Sequence, residues 1–218
     1  MTNIYNRMAI KKDECYTSYC EAEKLAKYLV ENEILPEDAK IWMPFDTHAS
    51  NIYKAFVNYG YKKIFLSSLE IGIDFYLYQP SEFDIIITNP PFSNRTSLMR
   101  RLINLGKPFI ILQASQFFNN QFAVGFLCQL SDDFEFILPR SRMNFLLYNK
   151  KSDVIMSSKS AASFYSFWLC YKTKLTKTFN HLPDSGKERD FEKFDMNGNI
   201  IKDSHYNLFS ICKDGASC

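Results

Sequence analysis

A run of three isoleucines, Ile85 to Ile87, stands between Asp84 and the polar pair Thr88-Asn89. A short apolar run with polar ends indicates a strand that is buried on both faces. Both faces of a sheet are buried when helices pack on each of them, as they do in α/β proteins. The run therefore predicts the core strand of a mostly parallel α/β sheet with helices on both faces.

The rest of the chain alternates between strand and helix patterns, as such a sheet requires. Apolar spacing and turn residues predict helices over 20–33, 51–57, 96–105 and 119–130. Strands are predicted over 40–45, 62–67, 83–88, 109–112, 134–138 and 163–171. A long polar stretch without a helix precedes the last of these strands, so we expect that strand to enter the sheet antiparallel.

The chain is expected to form one domain over residues 1–174 and a polar tail over 175–218. Its 218 residues, 46% hydrophobic and 23% charged, suit a single globular domain. From about Thr173 the composition shifts to Lys, Asp, Asn and Ser. Within this tail, the pair Asn197-Gly198 predicts a β-hairpin turn.

Composition also narrows the class of protein. A formal net charge of +2 is not that of a polycation, so any nucleic-acid partner must be argued from local charge. No apolar run is long enough to cross a membrane, and Met1 to Lys12 lack the apolar core of a signal peptide. The six cysteines form no C-x-x-C pair. We therefore expect a reduced, cytoplasmic protein with no membrane association and no metal site.

The tetrapeptide Asn89-Pro90-Pro91-Phe92 directly follows the isoleucine strand. Sheets of this class bind ligands at the carboxyl ends of their strands. The side-chain oxygen of Asn89 and the next carbonyl can present two acceptors, and neither proline has an N–H group that competes for them. Two acceptors beside an aromatic ring suit a planar ring that bears an exocyclic amino group. The alternative is a rigid turn, for which Pro-Pro is well suited.

The tetrapeptide resembles the [DNS]-P-P-[YFW] motif of amino-methyltransferases that use S-adenosylmethionine. More narrowly, residues 16–171 resemble the EcoRI-type adenine-specific DNA methyltransferases. This resemblance implies a Rossmann-like methyltransferase fold and methyl transfer to adenine that is flipped out of duplex DNA. It implies catalytic roles for Asn89, Pro90, Pro91 and Phe92, and a cognate restriction nuclease as a partner.

The resemblance also implies a set of residues that bind S-adenosylmethionine. Asp46-Thr47-His48-Ala49 stands where most adenine methyltransferases have a glycine loop, although the EcoRI-type subgroup also tends to read P-F-D-T. Asp46 could accept hydrogen bonds from the methionine ammonium in place of that loop, or it could simply cap the following helix. Glu70 is the nearest carboxylate for the ribose. The implied cofactor-binding residues are Tyr16, Thr17, Pro44, Phe45, Asp46, Thr47, Asp74, Phe75 and Asn89.

Basic and aromatic residues after the motif indicate where nucleic acid would bind. Basic side chains suit phosphates, and aromatic rings suit an unstacked base. The order of the cofactor half before the catalytic half matches the gamma arrangement of the family, without a large insertion for sequence recognition. The expected nucleic-acid-binding residues are Arg95, Arg140, Arg142, Phe145, Lys150 and Lys151.

Three functions stay open at the level of the sequence. The first is adenine methylation in DNA. The second is the same chemistry on RNA or on a glutamine side chain of a protein, because N-P-P-[YF] occurs in those methyltransferases too. The third is a non-catalytic binding module that retains the fold, which the missing glycines suggest. The polymer that gains a methyl group would distinguish them.

Overall fold

The computed structural model describes residues 15–143, 145–149, 154–157, 164–182, 193–194 and 200–201. Residues 1–183 form one compact unit and residues 184–218 a second. The helices of the first unit are α1 (Tyr19–Glu31), α2 (Asn51–Asn58), α3 (Arg95–Leu105) and α4 (Gln121–Gln129). Its strands are β1 (Cys15–Thr17), β2 (Lys40–Pro44), β3 (Lys63–Ser67), β4 (Ile85–Thr88), β5 (Phe109–Ala114), β6 (Phe134–Leu138), β7 (Phe145–Asn149), β8 (Val154–Ser157), β9 (Ser166–Tyr171) and β10 (Phe179–His181).

A seven-stranded sheet forms the centre of this unit, in the order β10-β6-β9-β5-β4-β2-β3. Six strands run parallel, and β9 runs antiparallel to both of its neighbours, β5 and β6. The antiparallel entry of the strand predicted over 163–171 is confirmed. The fold is an α/β fold with a mostly parallel sheet that carries helices on both faces, as the sequence predicts.

The isoleucines of β4 show why both faces of the sheet must be covered. Ile85 and Ile87 pack in the cluster that contains the apolar residues of α1 and α2. Ile86 faces the opposite way and packs with α3 and α4. All three side chains are buried because successive residues of a strand point to opposite faces.

All four predicted helices agree with the structure to within two residues at each end. Helix α3 ends at Leu105, and Gly106 follows it with a φ of 64°. This left-handed conformation commonly ends a helix, and glycine adopts it readily. Helix α4 begins later than predicted, because Ser115–Asn119 forms a 3₁₀ turn. The side chain of Asn120 then accepts hydrogen bonds from the N–H groups of Phe122 and Ala123, which starts the helix there.

Four strands of the first unit have no counterpart among the sequence predictions. Strands β1, β7 and β8 form a separate antiparallel sheet in that order. Strand β10 pairs with β6, so the first unit extends beyond the expected boundary at residue 174. Strands β1 and β10 are three residues long and are defined by pairing with strands distant in the chain, whereas β7 pairs both with β1 and with the neighbouring β8.

In the second unit, β11 (Lys193–Phe194) pairs antiparallel with β12 (Ile200–Ile201). This pairing is the one that the predicted hairpin requires, and its turn at 197–198 lies outside the described residues. Among the residues that the structure describes, no helix is long and apolar enough to cross a membrane.

Candidate functional site

A cleft of about 570 Å³ opens at the carboxyl ends of β2, β3 and β4. This volume lies within the range of small-molecule sites. Strand β2 lies between β3 and β4, so the chain leaves β2 toward one side of the sheet and later continues on the other side. Such a switch in strand order is where open α/β sheets bind their ligands.

The cleft brings together most of the expected catalytic and cofactor-binding residues. All four residues of the tetrapeptide Asn89-Pro90-Pro91-Phe92 line it. Of the other expected cofactor-binding residues, Tyr16, Thr17, Phe45, Asp46 and Thr47 also line it. Pro44, Asp74 and Phe75 do not line it.

The three residues that miss the cleft lie directly behind its wall. The carbonyl oxygen of Pro44 accepts a hydrogen bond from the hydroxyl of Thr88. Phe75 is only 2% exposed and packs 5.0 Å from the ring of Phe45. A carboxylate oxygen of Asp74 accepts a hydrogen bond of 2.8 Å from the backbone N–H of Tyr76, which does line the cleft. These residues therefore support the cleft from outside it.

The turn at the end of β2 occurs at Phe45, which is not a glycine. Its φ of 70° lies in the left-handed region, a conformation that non-glycine residues adopt at a cost of order 1–3 kcal/mol. The N–H of Phe45 donates a 2.6 Å hydrogen bond to the carbonyl of Ser67 at the end of β3. This bond and the contact with Phe75 hold the turn, so the chain reverses here without the glycine loop.

The turn places Asp46 in a buried position at the floor of the cleft. Its side chain is 6% exposed, and Oδ2 accepts a 2.8 Å hydrogen bond from the hydroxyl of Thr88. Burial raises the pKa of Asp46 to about 7, although hydrogen bonds from Thr88 and Ser50 favour the charged form. No ion pair joins it to a basic side chain within the described ranges. A cation in the cleft would therefore find a buried carboxylate to neutralise.

Thr17, the last residue of β1, is hydrogen-bonded to the tetrapeptide. Nδ2 of Asn89 donates a 3.2 Å hydrogen bond to Oγ1 of Thr17, a residue that is 5% exposed. Asn51, at the start of α2, donates a 2.9 Å hydrogen bond to the carbonyl of the same Thr17. Because Thr17 engages the amide nitrogen of Asn89, this orientation makes Oδ1 the acceptor end of the side chain.

The ring of Phe92 is half-buried at the side of the cleft. It begins a 3₁₀ turn, Phe92–Asn94, that follows the two prolines. The ring of Phe164 meets it edge-on at 6.2 Å, and the guanidinium of Arg95 lies 5.9 Å from its centre. These contacts fix the ring where a second aromatic ring could stack on it.

Several residues that line the cleft were missed from the sequence. Lys54 lies on α2, Ser68 and Leu69 follow β3, and Leu146 lies on β7. Tyr76 could have been found from its position two residues after Asp74. Glu70, the candidate for the ribose hydroxyls, also lines the cleft, in the 3₁₀ turn Leu69–Ile71.

The expected nucleic-acid-binding residues have different environments. Arg142 is exposed, whereas Arg140 is partly buried. Nη1 of Arg95 donates a hydrogen bond to the carbonyl of Gln116. Lys150 and Lys151 lie outside the described residues.

The expectation that Phe145 stacks on a base needs correction. The side chain is 2% exposed and belongs to the core, where its ring lies 5.8 Å from that of Phe164. A buried ring offers no free face to a base. The alternation of residues along β7 turns Phe145 to the core and Leu146 to the cleft.

No protein-family model matches this sequence, and no curated protein matches it. Among solved structures, the chain is similar to a proposed RNA methyltransferase from Pyrococcus horikoshii, with 11% identity, a TM-score of 0.44 and coverage of 75% of this chain and 94% of that one. A tRNA methyltransferase from Aquifex aeolicus shares 10% identity over 68% of this chain and 67% of that one, with a TM-score of 0.36. A SAM-dependent O-methyltransferase from Thermotoga maritima shares 8% identity over 78% and 71%, with a TM-score of 0.34. These similarities concern the fold.

Proposed function

We propose that this protein is a methyltransferase that transfers a methyl group from S-adenosylmethionine to the exocyclic amino group of adenine in DNA. One observation carries the proposal. The tetrapeptide Asn89-Pro90-Pro91-Phe92 and the buried carboxylate of Asp46 open on one cleft at the switch point of the sheet. The first suits an amino group on a planar ring, and the second suits a cation.

The residues of the cleft fit S-adenosylmethionine as the cofactor. It carries a sulfonium and an ammonium, and Asp46 offers a buried carboxylate without an ion-pair partner in the described part of the chain. Phe45 and Tyr76 provide aromatic surface for its adenine, and Glu70 provides acceptors for its ribose hydroxyls. When bound, S-adenosylmethionine supplies a methyl group that is electrophilic without acid catalysis.

The other side of the cleft would hold the target base. Oδ1 of Asn89 and the carbonyl of Pro90 accept the two amino hydrogens, while Phe92 stacks on the ring. Two acceptors draw the amino nitrogen toward tetrahedral geometry and aim its lone pair at the methyl group, so positioning supplies most of the acceleration. The amino group loses its proton to water after transfer, and no protein base is required. The proposal therefore assigns no role to His48, whose ring lies 4.9 Å from that of Tyr53.

Adenine in a duplex cannot reach a strand-end cleft, so the proposal includes its rotation out of the helix. The exposed guanidinium of Arg142 is available to bind a phosphate. A restriction nuclease that cuts unmethylated sites is part of the same proposal. The same acceptor pair would also serve an adenine in RNA or a glutamine amide, so the substrate must be tested directly.

The test is incubation with radiolabelled S-adenosylmethionine and DNA, RNA or protein, followed by counting the label in each polymer. We expect label in DNA, at N6 of adenine. The variant Asn89→Ala should lose transfer at least a hundredfold and keep cofactor affinity within a few-fold, because Asn89 acts at the amino group. Asn58→Ala, at the far end of α2, is the matched control and should behave as the wild type.

Label that appears only in RNA or protein would replace DNA as the substrate. Full turnover by Asn89→Ala would remove the catalytic assignment of the tetrapeptide. A wild type that binds no S-adenosylmethionine at millimolar concentration would leave a non-catalytic module that retains the fold.

A further inference from the structure

Two half-exposed phenylalanines lie where β5 leads into α4. Phe118 is 49% exposed and Phe122 is 56% exposed. The guanidinium of Arg100, on α3, lies 5.1 Å from the centre of the Phe122 ring. We call Arg100, Phe118 and Phe122 the aromatic–arginine surface.

The structure holds both rings in these exposed positions. Phe118 stacks on the buried ring of Phe167, with centres 5.2 Å apart and planes at 22°, and meets the buried Phe117 edge-on at 5.6 Å. Phe122 belongs to the first turn of α4, which the side chain of Asn120 fixes. Ring faces that are held toward solvent are ready to stack without a further loss of side-chain freedom.

Arg95 links the turn that carries Phe118 to Phe92 in the cleft. Arg95 lies over Phe92 at 5.9 Å and donates a 3.1 Å hydrogen bond to the carbonyl of Gln116. Gln116 and Phe118 belong to one 3₁₀ turn, Ser115–Asn119. Phe92 and this turn both follow the carboxyl ends of strands, β4 and β5. A polymer that places one unit against Phe92 can therefore place neighbouring units on this surface.

Local charge identifies the kind of polymer. No Asp or Glu occurs between Asp84 and Asp132, although the chain contains 24 of them. The same segment carries Arg95, Arg100, Arg101 and Lys107. Of these cations, Arg100 lies over Phe122 and Arg95 over Phe92, whereas Arg101 and Lys107 lie over Phe75 and Phe83. Positive charge at Arg95 and Arg100 attracts a polyanion, and exposed rings attract flat apolar faces. Unpaired nucleic acid offers both.

We propose that an unpaired nucleic-acid strand beside the target adenine crosses this surface, with bases on Phe118 and Phe122 and a phosphate at Arg100. The inference rests on the proposed function, because it places the strand relative to the base held at Phe92. Bases stacked within a duplex have no free face for these rings, so the favoured substrate has a single-stranded segment next to its target.

The test is fluorescence anisotropy of a labelled 20-mer of oligothymidine and of a duplex of the same length. We expect the wild type to bind the single strand more tightly than the duplex. Phe118→Ala and Phe122→Ala should each weaken single-strand binding about tenfold, and together about a hundredfold. Phe65→Ala removes a ring that is 38% exposed on β3, at the opposite edge of the sheet, and should change nothing.

Arg100→Ala should lower the slope of log affinity against log salt by about 0.7, the value for one phosphate contact on a single strand. Lys62→Ala, an exposed cation beside β3, is its control. Ultraviolet cross-linking of the wild type needs no variant and should attach the oligonucleotide to a peptide that contains Phe118 or Phe122.

Unchanged affinity of the double variant, or cross-links confined to other peptides, would overturn the inference. The inference would also be overturned if the wild type forms a dimer that the double substitution dissociates while oligonucleotide binding is kept. The surface would then join two copies of the protein. Cofactor affinity and methyl transfer are measured on the same samples. If the double variant keeps both methyl transfer and oligonucleotide affinity, the proposed surface is refuted and the proposed function is not. If the double variant loses oligonucleotide binding and the wild type methylates no polymer, the proposed function is refuted and the surface is not.

Discussion

At the scale of single residues, Asp46 shows a conflict between burial and charge. Its carboxylate is almost completely buried, and the hydroxyls of Thr88 and Ser50 stabilise its charge only in part. A buried acid without a cation favours its neutral form, so the pKa of Asp46 is raised from 3.8 to about 7. Burial of the ionised carboxylate costs free energy, and a bound cationic ligand would offset that cost.

This raised pKa predicts that cofactor affinity depends on pH. The ammonium binds the ionised carboxylate, so affinity should rise up to tenfold per pH unit below 7 and level off above it. Asp46→Asn should abolish this dependence and weaken binding roughly ten- to a hundredfold at pH 8. Isothermal titration between pH 5.5 and 8.5 measures both effects. Equal pH profiles for the two proteins would show that Asp46 does not bind the ammonium.

The same carboxylate should make the empty protein less stable as pH rises. The folded state binds the proton of Asp46 more tightly than the unfolded state, so its contribution is fully present below pH 4 and is lost as pH rises through about 7. The loss is on the order of 4 kcal/mol at most. Urea unfolding of the wild type and Asp46→Asn at pH 5 and pH 8 measures it. We expect the variant to lose less of its free energy of unfolding between these two pH values.

Phe92 is the residue at which stacking can be tested. Phe92→Tyr and Phe92→Trp keep an aromatic face and should keep turnover within about tenfold. Phe92→Ala removes stacking worth roughly 1–3 kcal/mol and should reduce turnover much further. A mismatch opposite the target adenine should raise the rate, because less pairing is lost on flipping. Initial rates on matched and mismatched duplexes decide this, and a fully active alanine variant would exclude the stacking role.

At the scale of elements, backbone conformation decides where helices end. Gly106 has a φ of 64° and ends α3, whereas Gly125 lies inside α4. An added Cβ would find open space at both positions. The two glycines therefore differ in backbone conformation and not in available volume.

These glycines form a matched pair for a stability measurement. Gly106→Ala should lower the free energy of unfolding by about 1 kcal/mol, because a side chain disfavours the left-handed conformation. Gly125→Ala should raise it by about 0.5–1 kcal/mol, because alanine favours the helix interior. Chemical denaturation of the two variants measures both changes. A loss of stability in both would mean that packing around α4 outweighs the backbone effect.

At the scale of the whole molecule, the sheet continues beyond the boundary that composition indicated. Phe179–His181 pairs with β6, and Leu175 and Leu182 belong to the core. A chain that ends at residue 183 should keep the thermal unfolding temperature of the full protein within about 3 °C. A chain that ends at residue 174 loses two buried leucines and the strand, and should lose more than about 3 kcal/mol. Thermal unfolding followed by circular dichroism compares them, and equal stability of the two chains would contradict the role of β10.

The sequence by itself determined the core strand, the order of the four helices and of six strands of the central sheet, and the position of the tetrapeptide. Each rests on a local signal: the run Ile85 to Ile87 indicates burial on both faces, and Gly106 marks the end of a helix. The antiparallel strand over 163–171 was also predictable, because the polar stretch before it lacks a crossover helix. Local patterns of this kind act through backbone geometry and solvent exposure, and both are encoded within a few residues.

The tertiary structure alone decided which distant residues meet. Thr17 and Asn89 are separated by more than seventy positions and share a hydrogen bond. Phe145 lies between basic residues in the sequence, yet the pairing of β7 with β1 turns its side chain into the core. The left-handed turn at Phe45 depends on Ser67 and Phe75. Contacts between remote segments exist only after the sheet has formed, because chain closure and burial determine them rather than local preference.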